Sequence, residues 1–263
     1  MSYESKKRNF ETMNTPGIQT TIRDAIATIS FYHPASNSLP STLLEQLTHE
    51  LNTAGENESV HVIILKSEGD RAFCAGASFD ELLSIDSEEK GIQFFMGFAN
   101  VLNAIRTCGK IVIGSIQGKA VGGGVGLAAA CDYCFATDQA AIKLSELFIG
   151  IGAFVIEPAV ARKLGKAAFC QLTLDATEWH SATWAQEKGL YAKVYDSKEA
   201  MTKATESLAE KLAKYNADAL GHMKKVFWEG TAHWPDLLKE RAGISGTLVR
   251  SDFTKQTLKK LKK

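Results

Sequence analysis

Two glycine-rich corners have residue types and spacing that could support chemistry. Gly122, Gly123, Gly124 and Gly126 lie between apolar segments at 111–116 and 127–130, a pattern that predicts a strand, a turn and a helix start. A helix N-terminus presents unpaired N–H groups and the positive end of the helix dipole, and glycine lets a ligand approach that backbone. This segment alone fits a close-packed turn equally well.

A second corner follows the apolar run at 60–65. The small residues Ala75, Gly76 and Ala77 stand where that strand pattern gives way to a helical one. Two such corners can supply two backbone N–H donors to one developing oxyanion.

The spacing of apolar residues, together with residues that end helices and strands, predicts the elements that must position these corners. Alternating apolar residues at 22–31 predict a strand or hairpin, and leucines 43, 44, 47 and 51 predict a helix closed by Gly55. A helix at 92–105 should bury one face formed by Ile92, Phe95, Met96, Ala99, Leu102 and Ile105. Further strands are predicted at 60–65, 110–116, 133–136, 141–144 and 190–195, and helices at 122–130, 154–164 and from Ser181 to Gly189.

Beyond Ser197 the chain is predicted to be wholly helical, in two or three amphipathic segments. Alternating strands and helices indicate an α/β fold, and the trailing helices indicate an appended packing module. We therefore expect a core at 1–196 and a C-terminal helical module at 197–263.

Composition limits the class of partner. The 30 lysines and arginines balance 30 acidic residues, so no net charge favours nucleic acid. Residues 1–10 are polar without the apolar core of a signal peptide, and no run is long and apolar enough to span a bilayer. We expect a cytoplasmic protein without a membrane partner. The odd count of five cysteines, Cys131-x-x-Cys134 included, predicts free thiols rather than a metal or redox site.

Other uses of the glycine run fail on spacing. A dinucleotide fingerprint starting at Gly122 would need its third glycine at Leu127, and no Gly-Lys-Ser or Gly-Lys-Thr completes a phosphate-binding loop. The six histidines show no paired ligand spacing, so we expect no metal.

The chain resembles the crotonase superfamily, which contains enoyl-CoA hydratases and isomerases. The resembling stretches are 72–77 with 80–82, 118–124 running on to Asp132, and 144–150, in the family's order and spacing. The resemblance implies a spiral of ββα units, with C-terminal helices that build a homotrimer or a dimer of trimers. It implies an acyl-CoA substrate and no separate cofactor, because coenzyme A is part of that substrate. Some members bind RNA, but no basic stripe is present outside the C-terminal end.

The resemblance also assigns roles. The two oxyanion donors match the backbone N–H groups of Ala77 and Gly123, and negative charge on a thioester oxygen would be stabilised there. Hydratases of the family use two glutamates. The second matches Glu146, but the first matches Gly126, which cannot carry a proton.

A single carboxylate suits a 1,3-proton shift, so double-bond isomerisation with Glu146 as the one acid/base is the favoured reaction. Glu157 could replace the missing acid if it points inward, or be a solvated helix charge if it points outward. The alternatives are a hydratase that uses Glu146 with or without Glu157, a non-catalytic acyl-CoA-binding protein, and other reactions of the superfamily.

Coenzyme A should lie, by the same resemblance, along 33–39 and 74–77, with contacts from Ala35, Cys74, Ala75 and Ala77. The lysine or arginine usual near Pro34 is absent. Lys259, with Lys255 and Lys260, could reach the phosphates or form a solvated basic face. Asp80 and Glu81 are expected to be helix N-terminal charges.

Overall fold

The structure, a computed structural model, describes residues 15–262. The interpretation of residues 1–10 therefore lies outside the described residues. The strands are β1 (Gly17–Arg23), β2 (Ile26–Tyr32), β3 (Val62–Ser67), β4 (Ala72–Cys74), β5 (Ile111–Ile116), β6 (Lys119–Val121), β7 (Tyr133–Thr137), β8 (Ile142–Lys143) and β9 (Lys193–Tyr195). The helices are α1 (Ser41–Glu56), α2 (Phe79–Ser84), α3 (Glu88–Thr107), α4 (Gly123–Ala130), α5 (Glu157–Leu164), α6 (Lys166–Leu174), α7 (Ala182–Glu187), α8 (Lys198–Ala213), α9 (Ala217–Phe227), α10 (Trp234–Leu248) and α11 (Asp252–Leu261).

The strands form two sheets that the chain visits alternately. The larger sheet has the order β1-β2-β3-β5-β7-β9 and is parallel except for β1, while the smaller sheet has the parallel order β4-β6-β8. From β3 to β8, each pair of strands gives one strand to each sheet, and a helix follows the pair. The α/β fold built from repeated ββα units is thereby confirmed.

The central strands β3 and β5 begin with continuous apolar runs, at 62–65 and 111–113, because both faces of the larger sheet are covered. In β3, Ile63 and Leu65 face the main core, whereas Val62 and Ile64 pack in a second cluster with Met201 of α8. Strands buried on both faces have continuous apolar runs instead of alternation. The predicted strands at 60–65 and 110–116 are confirmed as β3 and β5 within two residues.

The N-terminal segment is a hairpin, as the sequence allowed. Strands β1 and β2 pair antiparallel, and the two turn residues Asp24 and Ala25 have φ of 50° and 62°. Positive φ at both turn positions matches the right-handed strand twist. The hairpin starts five residues earlier than predicted, at Gly17.

The helix α3 buries half of the predicted face. Ala99, Leu102 and Ile105 are buried as predicted. Phe95 and Met96 are only half-buried, and Phe94 and Phe98 are buried in their place. The helix lies between α1 and α10, so it has two covered sides. A single stripe of apolar residues, as predicted from the sequence, therefore cannot include all the buried positions.

Three elements have no counterpart in the prediction: β4, β6 and α6. Three-residue strands are too short to show periodicity. The C-terminal part is wholly helical as predicted, but it has four helices where two or three were expected. Because α8 covers the larger sheet and α10 packs along α3, these helices share contacts with the rest of the chain. The division into 1–196 and 197–263 stays a prediction.

Residues 15–262 contain neither a membrane-spanning helix nor a cluster of metal-binding side chains. No helix in that range has the length and apolar character needed to cross a membrane. No group of three or more His, Cys, Asp and Glu side chains in the same range could hold a metal ion.

Candidate active site

The first corner requires glycine at successive positions. Gly122 precedes α4 with φ 53° and ψ −117°, a conformation that residues with a Cβ rarely adopt. At Gly123 a Cβ would lie 2.2 Å from the Phe98 ring, and at Gly124 it would lie 2.5 Å from the Cys74 carbonyl oxygen. The glycines thus let the start of α4 approach β4 and α3 at backbone distance.

The second corner abuts the first. Gly76 has φ +82°, and a Cβ there would lie 2.8 Å from the Val121 carbonyl oxygen and 3.4 Å from the Gly123 nitrogen. The corner is held by a hydrogen bond from the Leu39 N–H to the Gly76 carbonyl. The structure therefore brings the predicted donor segments around Ala77 and Gly123 together, and both residues line one pocket.

The N–H groups of Ala77 and Gly123 are free to act on a ligand. Within residues 15–262, neither donates a hydrogen bond to the protein. Gly123 is the first residue of α4, where an intrahelical acceptor does not exist. Their function as oxyanion donors stays a prediction.

Glu146 lies in the turn after β8 and reaches back to the glycine corner. A Cβ at Gly122 would stand 2.6 Å from its Oε1 atom. Its Oε2 atom is shielded from solvent and has no hydrogen-bond partner among the described residues. Burial raises the pKa of the Glu146 carboxyl from 4.5 to about 7. Such a group exchanges a proton readily near neutral pH.

The pocket that contains these groups encloses about 580 Å³ of free space, part of which is open to solvent. Its walls are mostly apolar, and Glu146 is the one ionisable side chain among the described residues that line it. The apolar lining comprises Phe79, Leu82, Phe95, Phe98, Ile149, Ile151, Phe154, Val155 and Ile156.

The position of the family's first acid is filled by a neighbouring side chain. A Cβ at Gly126 would lie 2.4 Å from Cγ2 and 2.8 Å from Cβ of Ile156. Ile156 itself lines the pocket. A carboxylate at position 126 would therefore have to displace Ile156.

The sequence left open whether Glu157 points into the pocket or into solvent, and in the structure it does neither. It is only 7% exposed, so it is not a solvated charge, and it is absent from the lining of the Glu146 pocket. Its carboxylate pairs with Lys166 and, at 2.5 Å, with Arg241, beside a neighbouring cavity. The structure does not bring this predicted catalytic residue together with Glu146.

The two segments predicted to contact coenzyme A lie side by side, because the Ala75 N–H donates a hydrogen bond to the Ser36 carbonyl. Ala75 lines the pocket, whereas Ala35 is exposed in the loop before α1. The Cys74 thiol is buried, and burial raises its pKa to about 12. Lys259 is exposed on α11, a helix that packs against α2. These contacts stay predictions.

The charged side chains of α2 and α11 near the pocket bind other groups of the protein. Lys255 donates hydrogen bonds to the carbonyl groups of Leu82, Leu83 and Ile85 at the end of α2. Glu81 accepts a hydrogen bond from the Ser41 N–H at the start of α1, and Asp80 pairs with Lys262. Lys255 therefore has three protein partners, which leaves it less available for phosphates than the exposed Lys259.

Sequence reasoning missed most of the residues that line the pocket. For example, Phe95 was interpreted as core, Phe154 only as the start of a helix, and Ser245 was not assigned, although all three line the pocket. Phe154 lies beside the recognised 144–150 stretch, so proximity to that motif could have indicated it. Ser245 lies on α10, far along the chain, and no sequence signal connects it to the site.

The fold and pocket define a class: a two-sheet ββα protein with a buried carboxylate beside two backbone corners. A sequence profile described as enoyl-CoA hydratase/isomerase matches residues 21–259. The chain belongs to the enoyl-CoA hydratase/isomerase family, within the crotonase superfamily.

Individual relatives differ in activity. A protein named probable enoyl-CoA hydratase from Bacillus subtilis (strain 168) is 28% identical over 91% of this chain and 93% of its own length. A peroxisomal Delta(3,5)-Delta(2,4)-dienoyl-CoA isomerase from Arabidopsis thaliana is 29% identical over 66% of each protein. The match to the enoyl-CoA hydratase AKT6-1 of Alternaria alternata spans only 57% of that protein. A solved enoyl-CoA hydratase from Bacillus halodurans has a TM-score of 0.85 over 92% of this chain and 99% of its own, and this likeness at 21% identity shows the fold.

Proposed function

We propose that this protein isomerises the double bond of an enoyl-CoA thioester, with Glu146 as the single acid/base. The observation that carries the proposal is the lone ionisable side chain in the described lining of an otherwise apolar pocket. Membership of a family that contains both hydratases and isomerases supports the substrate class but does not choose the reaction.

The first step needs a base. In a 3-enoyl-CoA, the carbon between the thioester and the double bond carries an acidic proton. The Glu146 carboxylate takes that proton, and the electron pair passes to the thioester oxygen, giving a dienolate. A pKa of about 7 makes the carboxylate abundant above neutrality while it remains basic enough to react.

The dienolate needs donors that act mainly on the transition state. The N–H groups of Ala77 and Gly123, without acceptors in the described residues, would donate to the thioester oxygen. One such donor typically contributes about 3–4 kcal/mol. Protonated Glu146 then returns the proton two carbons further along the chain, and the 2-enoyl-CoA is released.

Hydration would require a second catalytic function from the same site. A water must be held and activated while a proton is delivered, and the hydratases of the family use a second glutamate for this. At that position this chain has Gly126 under Ile156, and Glu157 is occupied by Lys166 and Arg241. These contacts favour the proton shift over water addition.

The experiment compares both reactions in one preparation. Purified protein is given 3-enoyl-CoA and, separately, 2-enoyl-CoA thioesters of several chain lengths, and the conjugated thioester and 3-hydroxyacyl-CoA are quantified. We expect conversion of 3-enoyl to 2-enoyl thioester, with kcat lowered about a hundredfold or more in Glu146→Gln. Glu187→Gln, a change at an exposed position on α7, is the matched control and should retain full activity.

Two results would reject the proposal. Faster formation of 3-hydroxyacyl-CoA than of the isomerised thioester would make the protein a hydratase. Tight binding of enoyl-CoA without turnover of any chain length would make it a non-catalytic acyl-CoA-binding protein.

A further inference from the structure

The hydroxyl of Ser245 is a buried polar group without a partner. Ser245 is 1% exposed, and its Oγ atom makes no hydrogen bond to any described residue. A buried hydroxyl without a partner costs about 1–3 kcal/mol, so such groups are uncommon without a reason. Ser245 also lines the Glu146 pocket, from the side formed by α10.

The backbone around Ser245 is tightly positioned. The adjacent Gly246 packs directly on Gly91 of α3: a Cβ at Gly91 would lie 2.7 Å from the Gly246 Cα, and a Cβ at Gly246 would lie 2.8 Å from the Ile92 nitrogen. The two helices thus meet at backbone distance beside this serine. Ser245 is consequently held in the pocket wall by rigid elements, which favours specific recognition.

The remaining lining determines which group could pair with this hydroxyl. No described residue that lines the pocket carries a positive charge, and Glu146 is acidic. A carboxylate on a substrate chain would be buried there without a counter-charge, which is strongly unfavourable. A neutral oxygen has no such penalty, and a serine hydroxyl can both donate and accept.

We propose that Ser245 selects acyl chains that carry an uncharged oxygen, a hydroxyl or a keto group, at one position of the chain. The inference rests on the proposed function in one respect, namely that the acyl chain occupies this pocket. A site that holds a hydrogen-bonding group discriminates against chains that lack its partner, because its own polar atom is then left unpaired.

The test measures binding, so that it does not depend on turnover. Dissociation constants are determined for saturated acyl-CoA thioesters of one chain length: unsubstituted, with a hydroxyl or keto group moved along the chain, and with a terminal carboxylate. We expect one position of the oxygen to strengthen binding about tenfold over the unsubstituted chain, and the carboxylate to weaken it. Ser245→Ala should lose this preference and bind the unsubstituted chain at least as well as the wild type.

Ser115→Ala removes another buried hydroxyl, which lies on β5 against Met201 of α8 and does not line the pocket, and it should retain the preference. The inference is overturned if no oxygenated chain binds more tightly, or if Ser245→Ala keeps the preference. Failure of isomerisation with the preference intact would reject the proposed reaction alone. Binding of acyl-CoA without any preference would reject the role of Ser245 alone.

Discussion

Replacing Glu146 by glutamine should stabilise the folded protein at alkaline pH while it removes activity. Burial raises the pKa of this carboxyl from 4.5 to about 7, so the folded state holds its proton more tightly than the unfolded chain. Below pH 4.5 the carboxyl is protonated in both states, and the folded protein has no charge to bury. As the pH rises from 4.5 to about 7, the unfolded chain ionises while the folded protein keeps its proton, so the free energy of unfolding falls over this interval and stays low above it.

The size of the effect follows from the two pKa values. One pKa unit corresponds to about 1.4 kcal/mol, so a rise from 4.5 to about 7 disfavours the ionised form by about 3 kcal/mol. Glutamine has the shape of the protonated acid and never ionises. The free energy of unfolding of Glu146→Gln should therefore equal that of the wild type near pH 4.5 and exceed it by about 3 kcal/mol above pH 8. Against a total of about 5–15 kcal/mol for a typical domain, this is readily measured.

The assay is urea unfolding followed by tryptophan fluorescence at a series of pH values and one protein concentration. Glu187→Gln, at an exposed position, provides the control, and its stability relative to wild type should not vary with pH through neutrality. A constant difference between Glu146→Gln and wild type from pH 5 to 8.5 would refute the reasoning. It would mean that the carboxyl is solvated or paired in the folded protein, and the proposed base would lose its basis.

Three further outcomes test the same site. The kcat/KM for isomerisation should rise with pH through an apparent pKa of about 7, since the carboxylate of Glu146 is the active form, and a flat profile between pH 6 and 8 would contradict this. Gly122→Ala should abolish turnover because its Cβ would lie 2.6 Å from the Glu146 carboxylate. Gly165→Ala, also at positive φ but with open space around it, should retain turnover and cost about 1–3 kcal/mol of stability, because its φ of 83° and ψ of 155° suit glycine. Glu157→Gln should lower the free energy of unfolding by about 1.5–3 kcal/mol in urea titrations, since the partners Lys166 and Arg241 keep access to solvent, yet leave the remaining folded enzyme active. Asp70→Asn, which breaks an exposed pair, should cost less than about 1 kcal/mol.

Sequence reasoning succeeded where a single packing contact determines the spacing of apolar residues. The helix α1 has a single covered face, so the spacing of Leu43, Leu44, Leu47 and Leu51 alone identified all four as buried. It was incomplete where two causes overlap. The helix α3 is covered on two sides and also borders a pocket, and a single apolar stripe could not divide Phe94, Phe95 and Phe98 among those settings.

The candidate site likewise has one part that the sequence predicted and another that it did not. The two glycine corners were recognisable because a positive φ and close backbone approach restrict the residue type at Gly76 and Gly122. The partners of Glu157 were not recognisable, because Arg241 comes from a helix much later in the chain. A charge pair between distant residues does not change the local spacing of apolar residues. Ser245 was missed for the same reason: its importance arises from the contact between α3 and α10, which only the folded chain creates.

The lack of a second acid is a property of the packing and not of one residue. At position 126 a side chain would enter the space of Ile156, and Ile156 is itself part of the pocket wall. The next residue, Glu157, is pulled the other way into its pairs with Lys166 and Arg241. The start of α5 thus places an apolar side chain against position 126, where the resemblance places the first glutamate of the hydratases, and directs the Glu157 carboxylate out of the pocket. Both features leave Glu146 as the one ionisable side chain in the described lining, and its burial raises its pKa to about 7, a value that suits the removal and return of one proton in the proposed reaction.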